Sequence, residues 1–213
     1  MRHEPLIERL AGDLAPVRRR RLSVDIAVIA AICAAELVLF FALKAERPDM
    51  PMQMHQMSFW WRLASLGLIA MISGAVAILS FNPAYSPRRA LRWLLLIAVI
   101  CLAFGMFINA GPQAHMRLLA RLNWHAGLQC SYKMVLLSIP AVVGLTVLMR
   151  RGAPTDIKRT ALLAGLAAAA WGAFVFVFAC PSNDPLYIAV WYSLGCGIVT
   201  ALSRLLLPRL SRW

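Results

Sequence analysis

Charge is scarce in this sequence, and acid is scarcer still: 15% of the 213 residues are charged, and only nine are Asp or Glu. Soluble domains carry about a quarter charged residues. A chain that is 61% hydrophobic therefore does not read as one with a water-facing globular surface. A CxxC pair is also missing, which removes the common disulfide-oxidoreductase motif. Neither a glycine-rich phosphate loop nor a dinucleotide fingerprint occurs, so nothing points to nucleotide chemistry. There is no internal repeat. No series of acidic residues runs through the apolar segments, as a proton-coupled carrier would show.

Apolar runs of membrane-crossing length take the place of all this. Six segments qualify, Val24–Leu43, Arg62–Phe81, Leu91–Ala110, Ser131–Met149, Thr160–Ala179 and Leu186–Leu207. Each holds about 20 residues, enough at about 1.5 Å per residue to cross about 30 Å of hydrocarbon. Irregular backbone cannot face lipid, so the expectation is an all-α integral membrane protein, a six-helix transmembrane bundle. Residues 1–22 form a short arm before it, and residues 23–213 form the bundle, with no room for a second domain. The first span is too long for a signal peptide and lacks a small-residue cleavage site, so it reads as a retained helix.

Orientation follows from the basic residues. With the N-terminus in the cytoplasm, sixteen of the 22 Lys and Arg fall inside and six outside. That bias places both termini in the cytoplasm. The net charge of +13 then reports topology and attraction to anionic lipid heads, and direct nucleic-acid binding is not needed to explain it.

Topology sorts the five cysteines. Cys33, Cys101 and Cys196 fall inside spans one, three and six, where a free cysteine behaves as a small hydrophobe. Cys130 opens the fourth span and Cys180 closes the fifth, both on the outer side. Spans four and five form an antiparallel hairpin, and neighbouring helices lie about 8–10 Å apart, so their outer ends can bring two sulfurs together. The periplasm is oxidising. A structural disulfide, two unrelated interfacial thiols, and a redox- or metal-responsive dithiol all fit this placement.

Other candidates share the outer face. His125 in "NWHAGLQC" and His115 lie in the third outer loop, and two thiolates with imidazoles would suit zinc or copper. The first outer loop holds "MPMQMHQM", in which Met50, Met52, Met54 and Met57 offer thioethers that prefer Cu(I), beside His55. The competing reading of each is an interfacial polar residue or an apolar bilayer contact. Glu36 in span one and Lys133 in span four are charges within the membrane. Lys133 either snorkels outward or approaches Glu36 to orient the bundle.

Ahead of the first span lies "LIERLAGDLAPVRRRR". Leu6, Ile7, Leu10 and Leu14 recur at helical spacing, Pro16 stops the helix, and the arginines mark the membrane boundary. A helix of about three turns is marginal alone in water. Its apolar stripe therefore needs a surface, either the inner leaflet or a groove on a cytoplasmic protein.

Taken together, this arm, "HAGLQC" before span four, and "CPSNDPLYIAVWY" from span five into span six resemble the NrsF-type proteins. These are six-span anti-sigma factors that hold an extracytoplasmic-function sigma factor at the bacterial inner membrane. The resemblance covers nearly the whole chain. It implies that Cys130 and Cys180 are the family's paired periplasmic cysteines, associated with metal and oxidant stress. It also implies that Leu6, Ile7, Leu10 and Leu14 cover a sigma-factor surface. The function expected is regulatory binding without enzymatic turnover. Two alternatives stand beside it. One is a metal transporter or resistance protein, suggested by the methionine loop and Glu36. The other is a quinone-linked thiol oxidoreductase, which would need a second cysteine pair and a quinone pocket.

Overall fold

The structure, a computed structural model, describes residues 21–83, 85–108 and 121–210. Among the described residues there is no strand. Seven helices are bounded there: α1 (Leu22–Ala42), α2 (Met50–Gln53), α3 (Met57–Leu79), α4 (Arg88–Ile108), α5 (Trp124–Arg150), α6 (Ile157–Phe176) and α7 (Pro185–Leu210). All but the single-turn α2 are long and apolar enough to cross a membrane. The arm residues Leu6, Ile7, Leu10 and Leu14, and His115 of the third outer loop, lie outside the described residues.

Helix α6 is the centre, packed against α3, α5 and α7. Its sequence "TALLAGLAAAAWGAF" explains this, because small side chains let backbones approach where no hydrophobic force acts between helices. Gly172 is the tightest point of the α5 contact. A Cβ there would overlap Ser138 Oγ and come within 2.9 Å of the Met134 carbonyl oxygen. Gly165 meets α7 in the same way, with Ser203 Cβ 2.5 Å from where its Cβ would stand. Asp156 caps the start of α6 by accepting from Arg159 N at 3.1 Å.

Two expected features shift. The fourth span was expected from Ser131, but α5 begins at Trp124. Asn123 starts it, sitting in the left-handed region at φ 32° and accepting from Ala126 N at 3.5 Å. Asn tolerates that conformation and caps well. His125 is thus in the first helical turn and not in a loop, and Cys130 lies nearly two turns into the helix. Of the two alternatives for Lys133, outward snorkelling or approach to Glu36, the structure does not show the second. Lys133 is exposed, and Glu36 Oε2 accepts from Trp171 Nε1 at 2.9 Å, linking α1 to α6.

Candidate functional site

At one end of the bundle, α5, α7 and the segment after α6 enclose a buried cluster. It contains Cys130, Cys180, Met50, Phe59, Met134, Tyr187, Trp191 and Tyr192. Cys180 is 0% exposed and Cys130 5%. The two thiols are neighbours in this cluster, and neither is covalently joined to another sulfur. Cys130 Sγ also lies 3.2 Å from Tyr187 Oη. The structure places in one cluster the two cysteines that topology had set at the span ends, although Cys180 stands beyond the end of α6 and not within it.

Helix α7 builds one wall. Tyr187, Trp191 and Gly195 face α5 at helical spacing, and Tyr192 turns to Phe176 of α6. Ser131 Oγ donates to the Trp191 carbonyl at 3.1 Å, and Trp191 Nε1 donates to the Leu122 carbonyl at 2.8 Å. Gly127 is required here, since a Cβ would overlap the Trp191 indole.

The segment carrying Cys180, "CPSNDP", has no helical ladder of its own and is held by side chains from elsewhere. Arg47 Nη1 donates to the Cys180 carbonyl at 2.7 Å, while its other edge forks onto Asp49 at 2.6 Å. Arg62, buried in the first turns of α3, donates to the Ser182 carbonyl and to Asn183 Oδ1, each at 3.1 Å. Asn183 Nδ2 in turn donates to Gln53 Oε1 at 2.7 Å and Gln56 Oε1 at 3.2 Å. Arg121 makes a two-pronged pair with Asp184 at 2.7 and 2.8 Å, and Asp184 Oδ1 accepts from Leu186 N at the start of α7. Arg121 holds the Asp184 carboxyl below the usual carboxylate range.

Electrostatics single out Cys180. The adjacent Cys130 thiol lowers its pKa from the ordinary thiol value, overcoming the desolvation that raises it. The Ser182 backbone, the Tyr192 hydroxyl and the positive Arg62 add to the lowering. Arg62 has no carboxylate partner among the described residues. A buried cation without a counter-ion costs several kcal/mol in general, of order 3 kcal/mol or more. A thiolate at Cys180 would offset that cost, so the arrangement favours a nucleophilic sulfur.

The other candidates do not converge on this point. His125 is exposed, 3.3 Å from Gln129 on its own helix. Met52, Met54, Met57 and His55 are exposed, and of the methionine stretch only Met50 enters the thiol cluster. Among the described residues no group of three or more His, Cys, Asp and Glu gathers to hold a metal. Two thiols and the Met50 thioether suit a soft monovalent ion such as Cu(I) better than zinc, which takes four ligands. Sequence reasoning missed Arg47, Arg62, Asn183, Asp184, Tyr187 and Tyr192. One signal was available, because an arginine inside an apolar span marks a functional site by default.

Comparison with known proteins gives a consistent result. Residues 10–213 match the family described as NrsF, negative regulator of sigma F. The chain is 30% identical over 208 residues to the "Anti-sigma-F factor NrsF" of Caulobacter vibrioides (strain NA1000 / CB15N), with 92% of each chain covered. It is 27% identical over 223 residues to the "Probable anti-sigma-F factor NrsF" of Azospira oryzae (strain ATCC BAA-33 / DSM 13638 / PS), with 100% of each covered. No solved structure matches it.

Proposed function

The chain belongs to the NrsF family of negative regulators of sigma F, and from that premise we propose a membrane switch. The protein sequesters an extracytoplasmic-function sigma factor at the bacterial inner membrane and frees it when the periplasmic Cys130–Cys180 pair reacts with an oxidant or a metal. The observation that carries the reading is the enclosed dithiol, with one sulfur on α5 and the other on a segment clamped by Arg47 and Arg62.

Oxidation removes two electrons and two protons from the pair and draws the sulfurs to about 2 Å. That bond pulls the Cys180 segment onto α5. A soft ion would ligate both thiols and fix a different separation. Either change biases the bundle only through the difference in how it binds its two states, and a thousandfold shift in occupancy needs about 4 kcal/mol.

The arm is attached to the helix best placed to feel such a shift. Helix α1 rests chiefly on α5, where Ile29 and Ile32 close over Gly144. Trp171 ties it to α6 through Glu36. In the resting state Leu6, Ile7, Leu10 and Leu14 cover the sigma factor, and a change in the tilt of α1 withdraws them.

The test separates arm from sensor. Leu10→Asp combined with Leu14→Asp releases the sigma factor without altering membrane insertion, read by co-purification from membranes. Continued co-purification would remove the arm from the contact. Cys130→Ser and Cys180→Ser each alter induction of a sigma-dependent reporter by oxidant or metal. An unchanged induction profile in both would remove the dithiol.

A further inference from the structure

The dithiol is closed to water, and a neighbouring cavity, which neither sulfur lines, reaches two of the side chains beside it. A cavity of about 190 Å³ lies between α3, α4, α6 and α7. An apolar cavity of about 150 Å³ holds benzene, so this one has room for one substituted six-membered ring. Its outer rim includes Leu102 and Met106 in the last two turns of α4, 43% and 38% exposed, so its mouth opens on the apolar flank of that helix. Its polar lining includes Arg62 and Tyr192, the two side chains that also stand beside the Cys180 sulfur. The Tyr192 hydroxyl is buried, with the Cys180 sulfur as its neighbour and no nitrogen or oxygen partner among the described residues. A ligand oxygen in the cavity would be a better acceptor than a thiol sulfur.

Size, lateral access and a donor pair beside a dithiol together define the occupant. It is a lipid-soluble ring carrying a carbonyl that accepts from Tyr192 and Arg62, and that takes up two electrons. We infer that this cavity is a binding site for a membrane quinone, which oxidises Cys130 and Cys180. In the step, two S–H bonds break and one S–S bond forms. The two electrons and two protons pass to the quinone, whose carbonyl oxygens become hydroxyls, and the quinol returns to the bilayer. The inference rests on reading Cys130–Cys180 as the sensing pair, and it makes the oxidation state of the membrane quinone pool the stimulus.

The experiment uses the full chain in lipid nanodiscs without oxygen, with a short-tail ubiquinone as probe and diamide as a water-soluble thiol oxidant. Peptide mapping by mass spectrometry assigns each thiol, which keeps Cys101 and Cys196, also on the cavity wall, separate from the pair. The expected result is one quinol formed per Cys130–Cys180 disulfide. Ala98→Trp, which fills the cavity, slows the quinone reaction at least tenfold and leaves the diamide reaction unchanged. Tyr192→Phe keeps the ring and removes the donor, and slows it about tenfold, the equivalent of one hydrogen bond. Closure of the pair by diamide but not by quinone would overturn the assignment, and so would a quinone reaction undiminished in Ala98→Trp. If quinone closes the pair but both serine variants keep a normal stress response, the cavity assignment stands and the sensing reading fails.

Discussion

Helices α6 and α4 have similar lengths and both read as spans, yet 72% of the α6 window is buried within the protein against 6% for α4. The more hydropathic of the two is the exposed one. Lipid tails are as apolar as leucine, so hydropathy does not draw a helix to the centre of a membrane bundle; close packing of small residues does. Helix α1 resembles α4 in this respect, with 11% of its window buried. The molecule is thus a tight group of α3, α5, α6 and α7 that encloses the dithiol, flanked by the looser α1 and α4. The arm belongs to one of those. A switch of this kind needs a site that holds its geometry and an output that moves at small cost.

The largest expected effect tests the tight half of that contrast. Gly172→Leu forces α5 and α6 apart and costs more than about 4 kcal/mol, read as loss of the thermal transition in detergent. Gly74→Leu on α3, where a Cβ meets nothing within 4 Å, stays within about 0.5 kcal/mol. Equal losses at the two sites would erase the distinction.

A middle-sized effect comes from the clamp. Arg62→Met strips donors from Ser182 and Asn183 and costs about 2 kcal/mol. It also removes a positive charge that favours the Cys180 thiolate, so the pH at which iodoacetamide alkylates Cys180 rises. A pH profile unmoved by the change would separate Arg62 from the thiol.

Smallest is the Arg121–Asp184 tie. Because Arg121 holds the folded carboxyl below its ordinary value, the bridge contributes above that ordinary value and is lost as pH falls through the lowered one. Protease cleavage near Arg121 should therefore increase at acid pH in the native chain. In Asp184→Asn it should be pH-independent. A variant that keeps the native pH profile would assign it to another group.

Much of the frame was legible in the residues. Apolar length gave six candidate spans, and position at the span ends set Cys130 and Cys180 apart from three other cysteines. The start of α5 was less legible, because His125, Gln129 and the polar turn around them interrupt the hydropathy on which the boundary was read. Asn123, a capping residue, was the available signal. The methionine stretch read as one group, and the fold divides it, sending Met50 into the thiol cluster and leaving Met52, Met54 and Met57 outside. A one-turn helix with Met50 on its inner side separates neighbours that the sequence lists side by side.

From its sequence alone this protein is a bundle of apolar helices with two cysteines placed toward one face, since solvent preference and charge bias act on each segment independently. Only the tertiary structure decided that those sulfurs share one buried cluster, that Arg62 stands beside them with no carboxylate partner among the described residues, and that Tyr192 and Arg62 also line a cavity. Those facts depend on residues up to 130 positions apart in the chain meeting in space, the reach from Arg62 to Tyr192. Close helix packing through small residues brings them together, and no local property of the chain records it.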